Sequence, residues 1–322
     1  MRAVRIHELI GPSGIRVDDL PEPSPGPGEV LVDVRAAGVN FPDVLLSYGK
    51  YQFKPPPPFV PGGEAAGVVK AIGSGVTTFA PGDRVAATMI HGAFAERVVA
   101  NELGMLKLPD AVSFEIGAAS LLGYGTVMHA LVDRAALKAG ETVLVLGAGG
   151  GVGVASIHVA KLLGARVIAV ASTEEKRAFC KEQGADDAID YVDLKERVKT
   201  LTRGDGANVV VDPVGGPHSE QALRAIAWEG RHLVIGFASG DIPKIPINLT
   251  LLKGCQIVGV FWGQFAMRET TRNRENCARA LSWIAEGRIR PHIDGTYPFD
   301  QAREVLERMA NRAIKGKVLL VP

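Results

Sequence analysis

The chain has almost no net charge: 36 Lys and Arg stand against 35 Asp and Glu, a formal +1 at pH 7 over 322 residues. It also has no basic run, which argues against nucleic acid or an anionic membrane surface as its main partner. Its three cysteines, Cys180, Cys255 and Cys277, lie far apart. With no Cys-x-x-Cys and no Cys/His cluster, neither a disulfide framework nor a structural zinc is supported, and a reducing, cytoplasmic setting is expected. There is no signal-peptide pattern, because Met1 and Arg2 lead straight into a strand-like AVRI. The longest uncharged run is interrupted by His158 and Lys161, so no membrane-spanning helix is expected. The length instead suits a large core split over two domains.

The most informative stretch is 141–172, ETVLVLGAGGGVGVASIHVAKLLGARVIAVAS. Its first apolar run, 142–146, has the length and β-branched content of a buried parallel strand. Glycines follow at 147, 149, 150, 151 and 153. A run of apolar residues at helical spacing comes next, stopped by Gly164, and 166–171 reads as a second buried strand. Strand, glycine-rich turn, helix, strand is the unit that binds a dinucleotide. The pyrophosphate needs a backbone without side chains and the N–H groups of a helix N-terminus. In the best register with G-x-G-x-x-G, Ala148 replaces the first glycine, followed by Gly150 and Gly153.

The end of the second strand selects the cofactor. NAD-binding units place an acid there to hold the ribose 2′-OH, but here the chain reads Ala171, Ser172, Thr173. Lys176 and Arg177 follow within one turn, a combination suited to a 2′-phosphate and hence to NADPH. Ser172 and Glu175 also match an N-cap and its capping-box partner, and Arg177 reads equally well as solvated surface charge.

Residues 1 to about 115 read as mostly β, with apolar or alternating runs at 3–6, 29–36, 67–72, 84–87 and 93–99 among many Pro and Gly turns. Such a pattern implies a barrel-like β domain. From 113 the chain turns helical (114–122, 126–136). After 142 strands (188–191, 208–212, 231–236) alternate with helices (173–183, 194–202, 219–227), as in a doubly wound parallel sheet. A long loop, 237–254, precedes one more strand at 256–261. That strand is expected at the sheet edge, where it can pair with a second subunit. Helices at 273–286 and 299–309 and a strand at 316–321 finish the chain, with the tail returning to the β domain.

PGPGEVLV, Ala37-Gly38-Val39-Asn40-Phe41-Pro42-Asp43, Pro61-Gly62-Gly63-Glu64-Ala65-Ala66-Gly67-Val68-Val69, Pro81-Gly82-Asp83-Arg84-Val85 and 148–153 occur in this order. This set resembles the medium-chain dehydrogenase/reductases over nearly the whole chain. Within them it looks like the zinc-independent quinone oxidoreductases, the relatives of zeta-crystallin. The resemblance implies an α/β protein: a Rossmann doubly wound sheet at 123–262, and a GroES-like β-barrel-type catalytic domain at 1–122 completed by 263–322. Zinc alcohol dehydrogenases carry Cys where this chain has Asn40, and Gly-His-Glu where it has Gly62-Gly63-Glu64. Two ligand positions are therefore missing, and a catalytic metal is not expected. His91 and His129 remain, each without partners in sequence. Without a Lewis acid the expected reaction is hydride delivery from NADPH to an acceptor that is already electron-poor, a quinone or an activated enone.

The resemblance places Asn40 facing the nicotinamide cleft, where its amide can reach the acceptor oxygen, with Asp43 fixing the loop. Tyr51 either lines the pocket, as in the quinone branch, or donates a proton, as in related enoyl thioester reductases; a turn tyrosine packed on 55–58 is the plain alternative. It puts Thr126 near the nicotinamide and Gly150, Gly151 and Val152 under the pyrophosphate. Lys176, Tyr191 and Arg312 would surround the 2′-phosphate, Arg312 reaching across from the C-terminal segment. Phe237, Phe261 and Trp262 follow strand ends on the ligand side of the sheet, and read equally well as core aromatics. Three readings stay open: an NADPH-dependent quinone or enone reductase acting as a cytoplasmic homodimer, an enoyl thioester reductase using Tyr51, and a non-catalytic NADPH-binding protein akin to zeta-crystallin.

Overall fold

The computed structural model describes residues 1–322. The chain folds into two compact units, Met1–Leu122 with Arg268–Pro322, and Gly123–Met267. The second crossover thus falls at Arg268, within the helix Trp262–Arg268, rather than at 263.

In the first unit β1 (Arg2–Ile6) and β2 (Ile15–Asp19) form an antiparallel hairpin. The main sheet is built from β3 (Glu29–Val39), β4 (Glu64–Ile72), β5 (Arg84–Thr88), β6 (Arg97–Asn101) and β7 (Met105–Lys107), with two strands from the C-terminal segment described below. β3 is its hub. It runs on to Val39, past the 29–36 expected, and Ala36, Ala37 and Val39 are as buried as Val30 and Val32. A helix at Phe41–Ser47, not foreseen, follows with Pro42 in its first turn, a place where a missing N–H costs nothing. Phe94 and Phe299 are fully buried in this core, so the C-terminal segment is part of it.

The second unit is a six-stranded parallel sheet of β8 (Thr142–Leu146), β9 (Arg166–Val170), β10 (Asp187–Ile189), β11 (Ala207–Asp212), β12 (Ile226–Val234) and β13 (Gln256–Gly259), in the order β10-β9-β8-β11-β12-β13. Val143 to Leu146 are fully buried, as a strand covered on both faces requires. The order reverses between β8 and β11, the switch point where such sheets bind ligands. β12 begins at Ile226, five residues before the expected start, because the turn-like Trp228, Glu229 and Gly230 stay in the strand, with Glu229 at φ 57. A helix at Asn248–Lys253 interrupts the expected loop before β13. The chain returns to the first unit with β14 (Ile293–Pro298) and β15 (Lys317–Val321). β15 pairs antiparallel with β3, setting Val318 opposite Val39 and Leu320 opposite Ala37.

Three helices of the second unit are joined by one imidazole. Tyr124 Oη, on a residue 3% exposed, lies 2.8 Å from His158 Nδ1, and His158 Nε2 lies 3.2 Å from the Gln183 side-chain oxygen, Oε1. Burial holds His158 down at about 4 instead of 6.5. The ring is neutral, donating from Nε2 and accepting at Nδ1. Between those values the unfolded chain binds a proton that the fold does not, so this contribution is present above pH 6.5 and is lost as pH falls through about 4, roughly 3 kcal/mol in all. The difference in unfolding free energy between wild type and His158→Gln, from urea titrations, should shrink over that window. A difference independent of pH would contradict the assignment.

Candidate functional site

Where β3 ends, four buried polar side chains meet: Asn40, Asp43, Glu64 and Lys317, all at most 8% exposed. Asp43 sits in the first turn of the Phe41–Ser47 helix, and its Oδ2 accepts from the Asn40 N–H (2.8 Å) while Oδ1 accepts from the Gly62 N–H (3.1 Å). It therefore ties two chain segments together. Glu64 starts β4, and Lys317 starts β15. Lys317 Nζ donates to Asn40 Oδ1 (2.7 Å) and forms an ion pair with Glu64 Oε1. Asn40 Nδ2 donates to Glu64 Oε1 (3.0 Å) and to the Gly38 carbonyl (3.1 Å). Both ends of the Asn40 amide thus have protein partners. The expectation that this amide reaches an acceptor oxygen is corrected: a buried ammonium and carboxylate hold it inward. Gly38 is required for the approach, since a Cβ there would lie 2.2 Å from the Ala118 carbonyl oxygen.

Burial raises the Asp43 carboxyl to about 7, against its two backbone hydrogen bonds and the nearby Lys317 charge, which lower it. Tyr51 is half-buried against the same core, and its hydroxyl is pushed up by burial and then by the Asp43 charge. The two histidines are packing residues here. His91 Nδ1 lies 3.3 Å from the Val60 carbonyl and its ring stacks on Phe53; His129 pairs with Asp133 (2.9 Å) and stacks on Phe265. Arg312 is exposed, in the turn before β15, with φ 56.

In the second unit the glycine-rich turn leaves β8 at Gly147 (φ 60), and the helix Gly151–Leu162 starts with Gly150 at its N-cap and no side chain capping it. Its first N–H groups, with Gly151 and Val152 only half-buried, have the chemistry to hold an anion. Gly153 lets helix and strand touch, because a Cβ there would lie 2.5 Å from Ala148 Cα. The Lys176 stem lies over Gly149, 3.3 Å from where a Cβ would be, so its ammonium arm borders the turn. The Tyr191 hydroxyl accepts from the Gly147 N–H (2.9 Å), and its ring packs on His218 at 4.1 Å. The N-cap of the next helix is Thr173, whose Oγ1 accepts from the Lys176 N–H (3.2 Å), not Ser172. Two adjacent hydroxyl residues made the register ambiguous. The one-residue shift leaves Ser172 exposed at the end of β9. Arg177 pairs with Glu174 and turns back to the Ala171 carbonyl. Thr126 is buried on the helix Leu121–Met128, Phe237 is half-buried against Gly215, and Phe261 is 55% exposed just beyond β13.

The family described as alcohol dehydrogenase GroES-like domain matches residues 26–110, and that described as zinc-binding dehydrogenase matches 151–286. The quinone oxidoreductase-like protein 2 homolog of Nematostella vectensis is 39% identical, over 99% of this chain and 88% of its own length. Human quinone oxidoreductase is 32% identical, over 100% and 98%. The chain belongs to the quinone oxidoreductase branch of the medium-chain dehydrogenase/reductases. Among solved members of this branch, Escherichia coli quinone oxidoreductase complexed with NADPH superposes with a TM-score of 0.92 at 30% identity, covering all of both chains. A mycobacterial protein solved with NADPH gives 0.94 at 33%, again over all of both chains.

The donor set of this branch member does not fit zinc. Zinc needs three protein ligands and an open position, whereas here the Glu64 carboxylate is already paired with an ammonium and both Asp43 oxygens accept backbone N–H groups. The cradle does fit a dinucleotide: a backbone free of side chains, uncapped helix N–H groups, and an acid-free strand end beside Lys176. Glu64 and Lys317 are the residues that reading the sequence missed. Their signal was a single charge in an otherwise apolar run, Lys317 ahead of VLLV and Glu64 ahead of AAGVV.

Because the folded Asp43 carboxyl keeps its proton up to about 7 while the unfolded one loses it near 3.8, the folded state binds more protons over that window. Its contribution is full below about 3.8 and is lost as pH rises through about 7. Relative to Asp43→Asn, wild type should therefore lose stability between those values in urea titrations. A difference that is flat, or that grows with pH, would contradict it.

Proposed function

We propose that this chain is an NADPH-dependent quinone oxidoreductase, which reduces a quinone or an activated enone with no part for a metal. The observation that carries the cofactor is the acid-free end of β9, with Ser172 exposed and the Lys176 stem laid over Gly149. NADPH supplies the hydride when bound. The helix N–H groups at Gly151 and Val152 hold its pyrophosphate, and Lys176 and Ser172 hold the 2′-phosphate, with Tyr191 bordering the same turn and Arg312 as a further candidate. Thr126, Phe237 and Phe261 remain candidates for the nicotinamide end. Asp43 fixes the Asn40 turn, and Tyr51 stays protonated at neutral pH because burial raises it. A quinone oxygen that gains charge takes its proton from water, so Tyr51 is a wall residue in this reaction. Only an enoyl thioester, which must be protonated on carbon, would need it as an acid.

Lys176→Ala should weaken NADPH binding by about 1.5–3 kcal/mol, the size of a charge-assisted hydrogen bond, and leave NADH binding nearly unchanged. Tyr51→Phe should keep most quinone turnover. Equal wild-type affinity for both cofactors would refute the cofactor assignment. Loss of about 10²-fold or more in enoyl thioester turnover, with quinones inert, would establish the thioester reductase instead; binding without turnover of any acceptor would leave a non-catalytic NADPH-binding protein.

A homodimer through β13 is part of the same proposal. β13 pairs only with β12, so one edge is open, and Leu251 (80% exposed), Leu252 (68%) and Trp228 (72%) add apolar surface on the same unit. A second copy paired across a two-fold would cover that edge. The buried thiols of Cys180 and Cys277, pushed up by burial to about 11 and about 12, suit the cytoplasm expected from the sequence. No helix is long and apolar enough to cross a membrane. Light scattering should give a dimer for wild type and monomer or aggregate for Ile257→Pro, which removes an N–H from the open edge; the Val260 N–H, and hence that of Val258, faces β12 instead. A monomeric wild type would rule the interface out.

A further inference from the structure

The Lys317 ammonium, on a residue 6% exposed, has three acceptors for its three protons: Asn40 Oδ1 at 2.7 Å, the Val39 carbonyl at 3.4 Å, and Glu64 Oε1. Glu64 is as completely engaged, since its Oε1 also accepts from Asn40 Nδ2 and its Oε2 from the Leu122 N–H (3.0 Å). A buried pair of this kind loses the solvation of both ions, and a hydrophobic pair of equal volume would serve packing at least as well. Packing therefore gives no reason for a cation here. What the cation does is fix an orientation. With Nζ on Oδ1, the Asn40 amide has one rotamer and one flip, and its N–H group is aimed at Glu64 and Gly38. The Asn40 backbone N–H is the same one that holds Asp43. The charge balance points the same way. Lys317 stands as the counter-charge of Glu64 inside the cluster. Without Lys317, Glu64 would be a bare buried anion within the cluster.

We propose that Lys317 is a positioning residue for the reduction: through Asn40 and Glu64 it holds the turn that carries Asp43. This rests on the reductase reading given above, so the test has one arm that needs no turnover. In the intact chain, Lys317→Ala opens the space of four side-chain atoms ending in a cation, and added n-propylamine can refill it as propylammonium. Amide hydrogen exchange at Asn40 and Gly62, the two N–H groups held by Asp43, should quicken in Lys317→Ala and return toward wild type with propylamine but not with n-propanol. Turnover of NADPH with the best quinone should fall on the order of a hundredfold in kcat, the cost of a small misplacement, with NADPH affinity unchanged and with recovery on the amine. Glu64→Gln/Lys317→Met, which removes both charges at nearly constant volume, covers the case in which Lys317→Ala does not fold, and should show the same kcat loss. Wild-type kcat in the double variant, or rescue by propanol as good as by the amine, would overturn the proposal. A wild type that oxidises no NADPH with any quinone fails the reductase reading alone. The exchange arm then decides the positioning role: amine-specific recovery of protection upholds it and unchanged protection in Lys317→Ala refutes it.

Discussion

A lysine ammonium and a glutamate carboxylate, both out of water, meet where the last strand of the chain lies against its first long one. Such a pair is stable only when every remaining donor and acceptor has a partner, and here Asn40, the Val39 carbonyl and the Leu122 N–H supply them. Much of the first unit follows from that requirement. β3 must extend to Val39 to bring its carbonyl into place, residue 38 must be glycine, and β15 must return across β3. The helix carrying Asp43 starts directly from Asn40, so the charge pair and the Asp43 turn are one construction.

The second unit solves a different problem, holding a polyanion without cations at every phosphate. Its means are geometric. The turn after β8 lacks side chains where a pyrophosphate must approach, Gly153 lets helix and strand touch, and the helix dipole favours negative charge at the uncapped end. In the function proposed above, selectivity between the two nicotinamide cofactors rests on a short stretch, Ser172 to Lys176. The Thr173 cap matters because it satisfies the helix end without using Ser172.

How much of this was legible in the sequence depends on the range of the interaction. The strand–turn–helix unit was readable because glycine spacing and hydrophobic period are local. The hydrogen bond from the Asn40 N–H to Asp43 is of the same short range, spanning three residues. The partners of the Asn40 amide were not readable. Lys317 and Glu64 are 253 residues apart in sequence, and a lone charge heading an apolar run does not say which distant charge it will meet. The start of β12 was hidden because Glu229 keeps the strand going through a left-handed residue, which sequence patterns read as a turn. The Phe41–Ser47 helix was hidden by its shortness, although Asn40 and Pro42 are ordinary helix-start residues.

The central claim is that this chain passes a hydride directly from NADPH to a quinone. Single-turnover oxidation of enzyme-bound NADPH, deuterated at either face of the nicotinamide C4 and mixed anaerobically with a quinone, tests it most directly. Slower oxidation with deuterium on one face and an unchanged rate with deuterium on the other is the predicted result. Bound NADPH that no quinone oxidises would contradict the account.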